Sequence, residues 1–486
     1  MKITLENVKR AVILALMFIM SFNLINVHER FYQTGKDICF YSAAIALTVI
    51  LVLVNGIHIK KPLAIVWFVV CAACAVAYIL IKNVRPSTYG AVYFKVVILR
   101  VALWAAVAFA LPIVSISRDF IGNVKRLIKA PFFWITAIVF GTVVALEREF
   151  IPFICPLVLL LFIRVNSEKL TELFDSFALA YYLAFFAKFT KSLVVKPFEY
   201  DITGRYIGLF LNNSKLGALC GAAIVCVLYF AVRIWWTRKE VKPRAWKLIL
   251  LALMFVYAFA AFAMVRGRAG ELGIVLAVFA MIIFLHGSEK KHATLVRIIV
   301  TAGVAVIILG SGIITANILQ SRIQSGKLKY EDLSYTMIHI ARFAGKEESR
   351  GLFKAGTMAN ALDELSAQRL STWKELGSQI IPVGHIPDAD TATHSTYVYW
   401  LVEYGLFPGL LVIGWFVTFI VFAGILATRK EKAAIMPLLW VCFYAGVFLT
   451  SNEYWNAPGG FLLLVFAYPL IRCFKGKAEN EIIENR

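Results

Sequence analysis

His394 and Ser395 stand where a long polar stretch, about Gln320 to Thr393, gives way to an apolar one. A neutral imidazole there could accept a proton from a hydroxyl attacking an activated carbon. Two other polar groups carry chemistry. Arg205 opens Arg205-Tyr-Ile-Gly208-Leu-Phe-Leu-Asn212-Asn213-Ser-Lys215-Leu-Gly217, and Arg266 and Arg268 flank a glycine in Val-Arg-Gly-Arg-Ala-Gly270. Arginine stays charged and offers a planar fork of donors, the side chain best matched to phosphate. The glycines beside Arg268 leave the backbone open to close approach. Taken singly, the arginines also read as snorkelling residues and the histidine as an interfacial one. Together on one face they favour a pocket for a lipid-linked phosphate.

A metal site is the other chemistry these residues could serve. His385, Asp388, Asp390 and His394 could ligate a divalent cation, although their spacing matches no standard site. Asp388 and Asp390 read more simply as turn residues.

The elements that must position these groups are membrane helices. The chain is 60% hydrophobic and only 16% charged, with a mean hydropathy of +0.77. A soluble domain runs nearer a quarter charged. Apolar spans of about 20 residues recur, each long enough to cross roughly 30 Å of hydrocarbon as a helix. None alternates as a barrel strand does. The expected fold is an all-α polytopic membrane protein with about fourteen transmembrane helices (twelve to fourteen). The spans are 11–27, 38–56, 63–82, 91–116, 131–147, 150–165, 172–195, 206–236, 247–265, 270–286, 295–316, 396–427, 433–450 and 459–474. This divides the chain into helices 1–11 over 1–319, a loop over 320–393, helices 12–14 over 394–475 and a charged tail over 476–486.

Charge sets the orientation. A net charge of +21 invites a nucleic-acid reading, but the placement of the basic residues argues against one. With the N-terminus inside, more than half of the 50 Lys and Arg fall in inner segments such as Lys60-Lys61, Arg233 to Lys247 and Arg429 to Lys432. That is the positive-inside pattern. Both termini are then cytoplasmic, and the 320–393 loop lies outside with Arg205, Arg266, Arg268 and His394. Within that loop, Thr357–Ile380 places Leu362, Leu365, Trp373, Leu376 and Ile380 at helical spacing, a short amphipathic helix for the membrane surface. Arg369 lies four residues before Trp373 and shares its inward face.

The eight cysteines fall in or at the ends of the spans and imply no disulfide framework. Cys71 and Cys74 form a CxxC inside an apolar helix, where packing thiols are expected. The first span lacks a small-residue cleavage site and is expected to be retained.

With these residues assembled, the region from Arg205 to Leu426 resembles the O-antigen ligase and polymerase-like superfamily of bacterial envelope glycan enzymes. Arg205, Gly208, Leu209, Phe210 and Asn212 resemble the family's Arg-x-x-Gly-Leu-Phe-x-Asn segment. Gly267-Arg268-Ala269 is similar to its Ser-Arg-Gly turn, keeping the arginine and losing the serine. His394-Ser395, nine residues and then Gly405 match the ligases' His-(Asn/Ser/Gln)-x9-Gly spacing, and Arg369-Leu-Ser-Thr-Trp373 resembles the Arg-x-x-x-Trp of the large outer loop. The ligases continue Gly-x-x-(Gly/Thr/Tyr), whereas here Gly405 leads to Pro408 and then Gly409. Ligases also have twelve spans.

The resemblance implies a metal-independent, inverting glycosyltransferase of type C architecture, with no cofactor, in a bacterial inner membrane. It implies an undecaprenyl-diphosphate-linked glycan as donor and a saccharide or lipid-linked saccharide as acceptor, met outside the cytoplasm. His394, Arg268 and Arg205 are the implied catalytic residues. Arg369, Arg266, Lys215, Asn212, Ser395 and Trp373 would bind diphosphate and glycan. The arginines would stabilise the leaving diphosphate, and the histidine would orient or deprotonate the acceptor hydroxyl.

Ligase and polymerase stay open at this point: the His394 to Gly405 spacing leans to ligase, the span count and altered tail to polymerase. A lipid-linked oligosaccharide flippase is the alternative from another class. One large asymmetric loop, few mid-span charges and no repeat argue against it. A transferase using Glu29 or Asp37 as its acid is a third reading, but those residues sit beside Arg30 and Lys36 as ordinary loop charge.

Overall fold

A computed structural model describes residues 5–26, 46, 134, 138, 167–199, 205–210, 213–238, 243–265, 267–285, 369–383, 395–429 and 431–451. Its elements are helices: α1 (Leu5–Asn26), α2 (Ser167–Val195), α3 (Asn213–Thr237), α4 (Ala245–Val265), α5 (Arg268–Ala280), α6 (Arg369–Gln379), α7 (Thr396–Tyr404), α8 (Leu406–Thr428) and α9 (Ile435–Thr450). A π-helical turn, Met281–Leu285, extends α5, and a 3-10 turn, Lys432–Ala434, leads into α9. Among the described residues, five helices are long and apolar enough to cross a membrane: Phe174–Val195, Ser214–Thr237, Ala245–Val265, Leu406–Thr428 and Lys432–Leu449. By helix length and hydropathy this is a multi-pass membrane protein. Apart from isolated positions, the expected spans 38–56, 63–82, 91–116, 131–147, 150–165, 295–316 and 459–474 lie outside the described residues.

Among the described helices, α9 is the most deeply buried. Trp440, Phe443, Val447 and Leu439 are fully buried. Trp440 meets Phe177 and Tyr181 of α2 edge-on, with ring centroids 5.3 and 5.4 Å away, the geometry that ring quadrupoles favour. Between apolar helices in lipid, close packing has to do what the hydrophobic effect does in water, so small residues mark the tightest contacts. A Cβ on Gly217 of α3 would sit 2.6 Å from the Cα of Gly267, and one on Gly446 of α9 would sit 2.6 Å from the nitrogen of Gly273. α3, α5 and α9 therefore meet backbone to backbone. α4 does the opposite: Leu253, Val256 and Phe259 are more than half exposed, a face suited to hydrocarbon.

Two expected spans are corrected. The span 206–236 begins only at Asn213, because residues 205–210 form an irregular strap instead. Gly208 has φ 55 there, and the N–H groups of Ile207 and Gly208 go to the carbonyl of Glu199 at 3.0 and 3.1 Å. The span 396–427 is two helices folded into a hairpin. Gly405, at φ 87 and ψ 173, turns the chain through a conformation essentially reserved for glycine. Pro408 has no N–H for the carbonyl of Tyr404 and falls in the first turn of α8, where none is needed.

The hairpin is packed tightly. Tyr397 and Trp400 of α7 lie edge-on to Phe416 of α8, at 6.1 and 6.4 Å, and to Phe448 of α9, at 6.1 and 5.6 Å. α7, nine residues or about 14 Å long, thus runs back along the first half of α8.

α6 agrees with the expected amphipathic helix over its described part. Leu376 is buried against Val402, with Ile380 and Val398 beside them. Leu362 and Leu365 lie outside the described residues. The carbonyls of Ile381 and Pro382 accept the N–H groups of Leu406 and Phe407 at 2.9 and 3.1 Å. These satisfy two donors that every helix start leaves orphaned.

Cys220, Cys226 and Cys442 are free and buried in the core, as packing thiols are. Cys71 and Cys74 lie outside the described residues.

Candidate functional site

Three sequence landmarks, remote along the chain, meet at one end of this bundle. The strap that carries Arg205 is tied to α2 and α4. Tyr206 donates its backbone N–H to the carbonyl of Met264 at 3.1 Å, four residues before Arg268. Its hydroxyl lies 2.9 Å from that of Ser192, which also accepts the N–H of Leu209 at 2.9 Å. Phe189 stacks edge-on to the Tyr206 ring at 5.6 Å. Gly208 is required here, because a Cβ would collide with the Ser192 and Tyr206 hydroxyls. Arg205 itself is 8% exposed. The motif's glycine therefore shapes the strap, and the strap positions the arginine.

The second landmark is docked on the first. Arg268 is the first residue of α5, with Gly267 extended at φ -84 and ψ 109 before it. The Gly217–Gly267 approach sets the start of α5 against the first turns of α3, where Lys215 lies half-buried. The first turn of α3 holds no acidic residue.

The third landmark reaches the same end through α9. Ser395, 1% exposed, donates its hydroxyl to the carbonyl of Phe448 at 3.0 Å. Thr396 donates both its N–H and its hydroxyl to the carbonyl of Ser451, at 3.1 and 2.7 Å. The α9 end that holds them packs through Gly446 on Leu272 and Gly273, in the second turn of α5.

The electrostatics of this end follow from helix direction. α3, α5 and α7 all begin here, so three positive dipole ends gather beside Arg205, Lys215 and Arg268, with the Thr396 N–H of α7 already given to Ser451. α2, α4 and α9 end here as well, and protein donors occupy several of the carbonyls: Lys196 O and Met264 O by Tyr206, Phe448 O by Ser395 and Ser451 O by Thr396. Against these cations stand the exposed Glu271 in the first turn of α5 and Glu199 beside the strap, the latter paired with Lys196 at 3.6 Å. Helix starts in general are suited to anions, phosphate among them.

The expected site residues divide clearly. Arg205, Lys215 and Ser395 are described with their side chains; Arg268 and Arg369 are placed by their backbone at helix starts. The Ser395 hydroxyl is committed to the protein itself. Arg369 begins α6, which runs toward the Gly405 turn as α7 does, with Trp373 half-buried along it. His394, the covalent neighbour of Ser395, lies outside the described residues. So do Arg266, Asn212 and the alternative metal set His385, Asp388 and Asp390. Glu29 and Asp37 do too.

Two residues are new. Ser192 and Lys188 lie one turn apart on α2; a lone serine there carries no sequence pattern, whereas the charge of Lys188 inside an apolar span is a signal the sequence does offer. Lys188 is 2% exposed inside the span Phe174–Val195, its ammonium 4.1 Å over the ring of Phe22 in α1.

No family model matches the chain, and neither a curated protein nor a solved structure does so.

Proposed function

We propose that the chain is an O-antigen ligase-like membrane glycosyltransferase that moves a glycan from an undecaprenyl-diphosphate-linked donor to a saccharide acceptor outside the cytoplasm. What supports the reading most is the convergence of its three sequence landmarks. The Arg205 strap, the start of α5 at Arg268 and the start of α7 after His394 come to one end of the bundle through the Met264, Gly267 and Phe448 contacts.

In this reading Arg205, Lys215 and Arg268, with the helix starts around them, hold the diphosphate and stabilise the charge that develops as it leaves. His394 orients or deprotonates the attacking hydroxyl. Arg369 and Trp373 on α6 contact diphosphate and glycan from the loop side, and Arg266 and Asn212 complete the binding set, while Ser395, buried on Phe448, holds the start of α7 rather than substrate. Cation-rich donors with no metal suffice for such a leaving group. The fold is a type C-like bundle of about fourteen helices in a bacterial inner membrane, with cytoplasmic termini and an outer site.

Transfer with a labelled lipid-linked repeat tests this and separates its two forms. Growth of the chain with no added acceptor means polymerase; transfer only to an added anchor means ligase. Absence of transfer to any acceptor contradicts both.

One observation favours the flippase alternative. Lys188 is a buried cation within a span, the kind of residue that carriers place near mid-membrane. Movement of the labelled lipid across vesicles without transfer is the result that reading requires.

A further inference from the structure

At the end of the bundle opposite Arg205, α1, α2 and α3 frame an open cleft of about 440 Å³, lined by Arg10, Leu14, Asp175, Leu179, Phe230 and Arg233 among others. Pockets for small ligands span roughly 300–1,000 Å³. Its rim carries two ion pairs. Arg233 donates through Nη2 and Nε to the two oxygens of Asp175, at 3.0 and 3.3 Å, and Tyr229 donates to the same carboxylate at 2.6 Å. Arg10 donates to Glu172 at 2.7 Å. Below the rim, Leu14, Leu179 and Phe230 make the wall apolar.

The depth of the cleft is set by its neighbours. Asp175 is the second residue of the span Phe174–Val195, and Arg233 lies one turn before the end of Ser214–Thr237. At the same level Trp235 is 50% exposed, with the Arg238 guanidinium 3.3 Å over its ring. Exposed tryptophan beside arginine belongs to the headgroup layer of a bilayer.

We propose that this cleft holds one phospholipid with a zwitterionic headgroup bearing a primary amine. Its phosphate lies between Arg10 and Arg233, its ammonium against Glu172 and Asp175, and an acyl chain follows Leu14, Leu179 and Phe230. Arg10, Arg233 and Asp175 line the cleft and Glu172 stands just beside it as the partner of Arg10, so cationic and anionic groups alternate at the rim. A headgroup that brings one charge of each sign is complementary to the alternation. The Arg10 and Glu172 side chains are 57% and 50% exposed, open to a headgroup at the rim. Arg233 spends two of its five donors on Asp175. An ammonium with three N–H donors can bond to these carboxylates, whereas a trimethylated choline cannot.

The test uses the full chain, delipidated in detergent and titrated with phosphatidylethanolamine, phosphatidylcholine or phosphatidylglycerol of one acyl composition. Bound lipid is counted by native mass spectrometry. One phosphatidylethanolamine is expected to stay bound several-fold better than either other lipid, and Arg10→Gln and Leu179→Trp are each expected to abolish the preference. Leu179→Trp fills the apolar wall without touching an ion pair; if it fails to fold, exposed Arg10→Gln carries the test. Equal retention of the ethanolamine and choline lipids overturns the proposal, as does preference for phosphatidylglycerol. A preference that survives Arg10→Gln overturns it as well. Glycan transfer enters none of these readouts, so they stand apart from the proposed activity.

Discussion

The Ser192 hydroxyl lies 2.9 Å from the Tyr206 hydroxyl and at the same time accepts the Leu209 N–H at 2.9 Å. One buried side chain in the last turn of α2 thus holds both flanks of Gly208 and, through Tyr206, the placement of Arg205. Ser192→Ala removes both bonds and leaves a buried N–H orphaned, a loss of about 1–3 kcal/mol. A lower melting temperature is expected, with transfer reduced further than the remaining folded fraction accounts for. Unchanged melting would show that the strap is held elsewhere.

Gly405 is the corner of the α7–α8 hairpin, and its φ of 87 with ψ of 173 admits no ordinary side chain. Gly405→Ala should destabilise by about 1–3 kcal/mol. Gly414, inside α8 with nothing within 4 Å of the place a Cβ would take, is the control: Gly414→Ala should be neutral or stabilising by roughly 0.5–1 kcal/mol. Thermal melts of the two variants give the comparison directly.

Gly217 and Gly267 touch backbone to backbone, which sets Lys215 beside the start of α5. Gly217→Val must part α3 from α5 by the width of a side chain. Transfer should be lost while insertion into the membrane, measured by expression in the membrane fraction, is kept. Full activity would mean that these two helix starts do not act as one site.

Arg205 separates charge from geometry. Arg205→Lys keeps the cation and loses the planar fork, so activity should fall between wild type and Arg205→Ala. Removing one preorganised donor to a developing anion lowers turnover by about 10²–10³. Steady-state transfer rates with a fixed lipid-linked donor rank the three proteins. A lysine variant no better than alanine would show that the fork, and not the charge, is what matters.

Much of this architecture is written in hydropathy. The spans that became α4 and α9 are nearly unbroken apolar runs, α2 is apolar apart from a few charges such as Asp175 and Lys188, and the expected boundaries 172–195, 247–265 and 433–450 fall close to the observed ends. The α7–α8 hairpin was hidden because 396–427 is apolar throughout, and apolarity does not report direction. Gly405 and Pro408 were the available signs of a turn, read in sequence as departures from a motif. The strap at 205–210 was absorbed into a span because Tyr, Ile, Leu and Phe look alike in a strap and in a helix.

At the candidate site, Arg205, Lys215 and Arg268 stand out in sequence because a charge in an apolar chain has few other reasons to be there. Ser192 was not, since a lone serine on a membrane helix carries no pattern. The pairing of Asp175 with Arg233, and of Arg10 with Glu172, joins residues far apart in sequence and is visible only once the helices are packed.

The central claim is that the gathered cations and His394 drive glycan transfer from a diphosphate-linked lipid. The most direct measurement is the rate of transfer from a radiolabelled undecaprenyl-diphosphate glycan by purified, vesicle-reconstituted wild type, Arg205→Ala, Arg268→Ala and His394→Ala. Wild type should transfer glycan, and each variant, inserted and folded to the same extent, should be reduced by about 10² or more. Wild-type rates in all three variants, or no transfer by the wild type with any saccharide acceptor, would contradict the account.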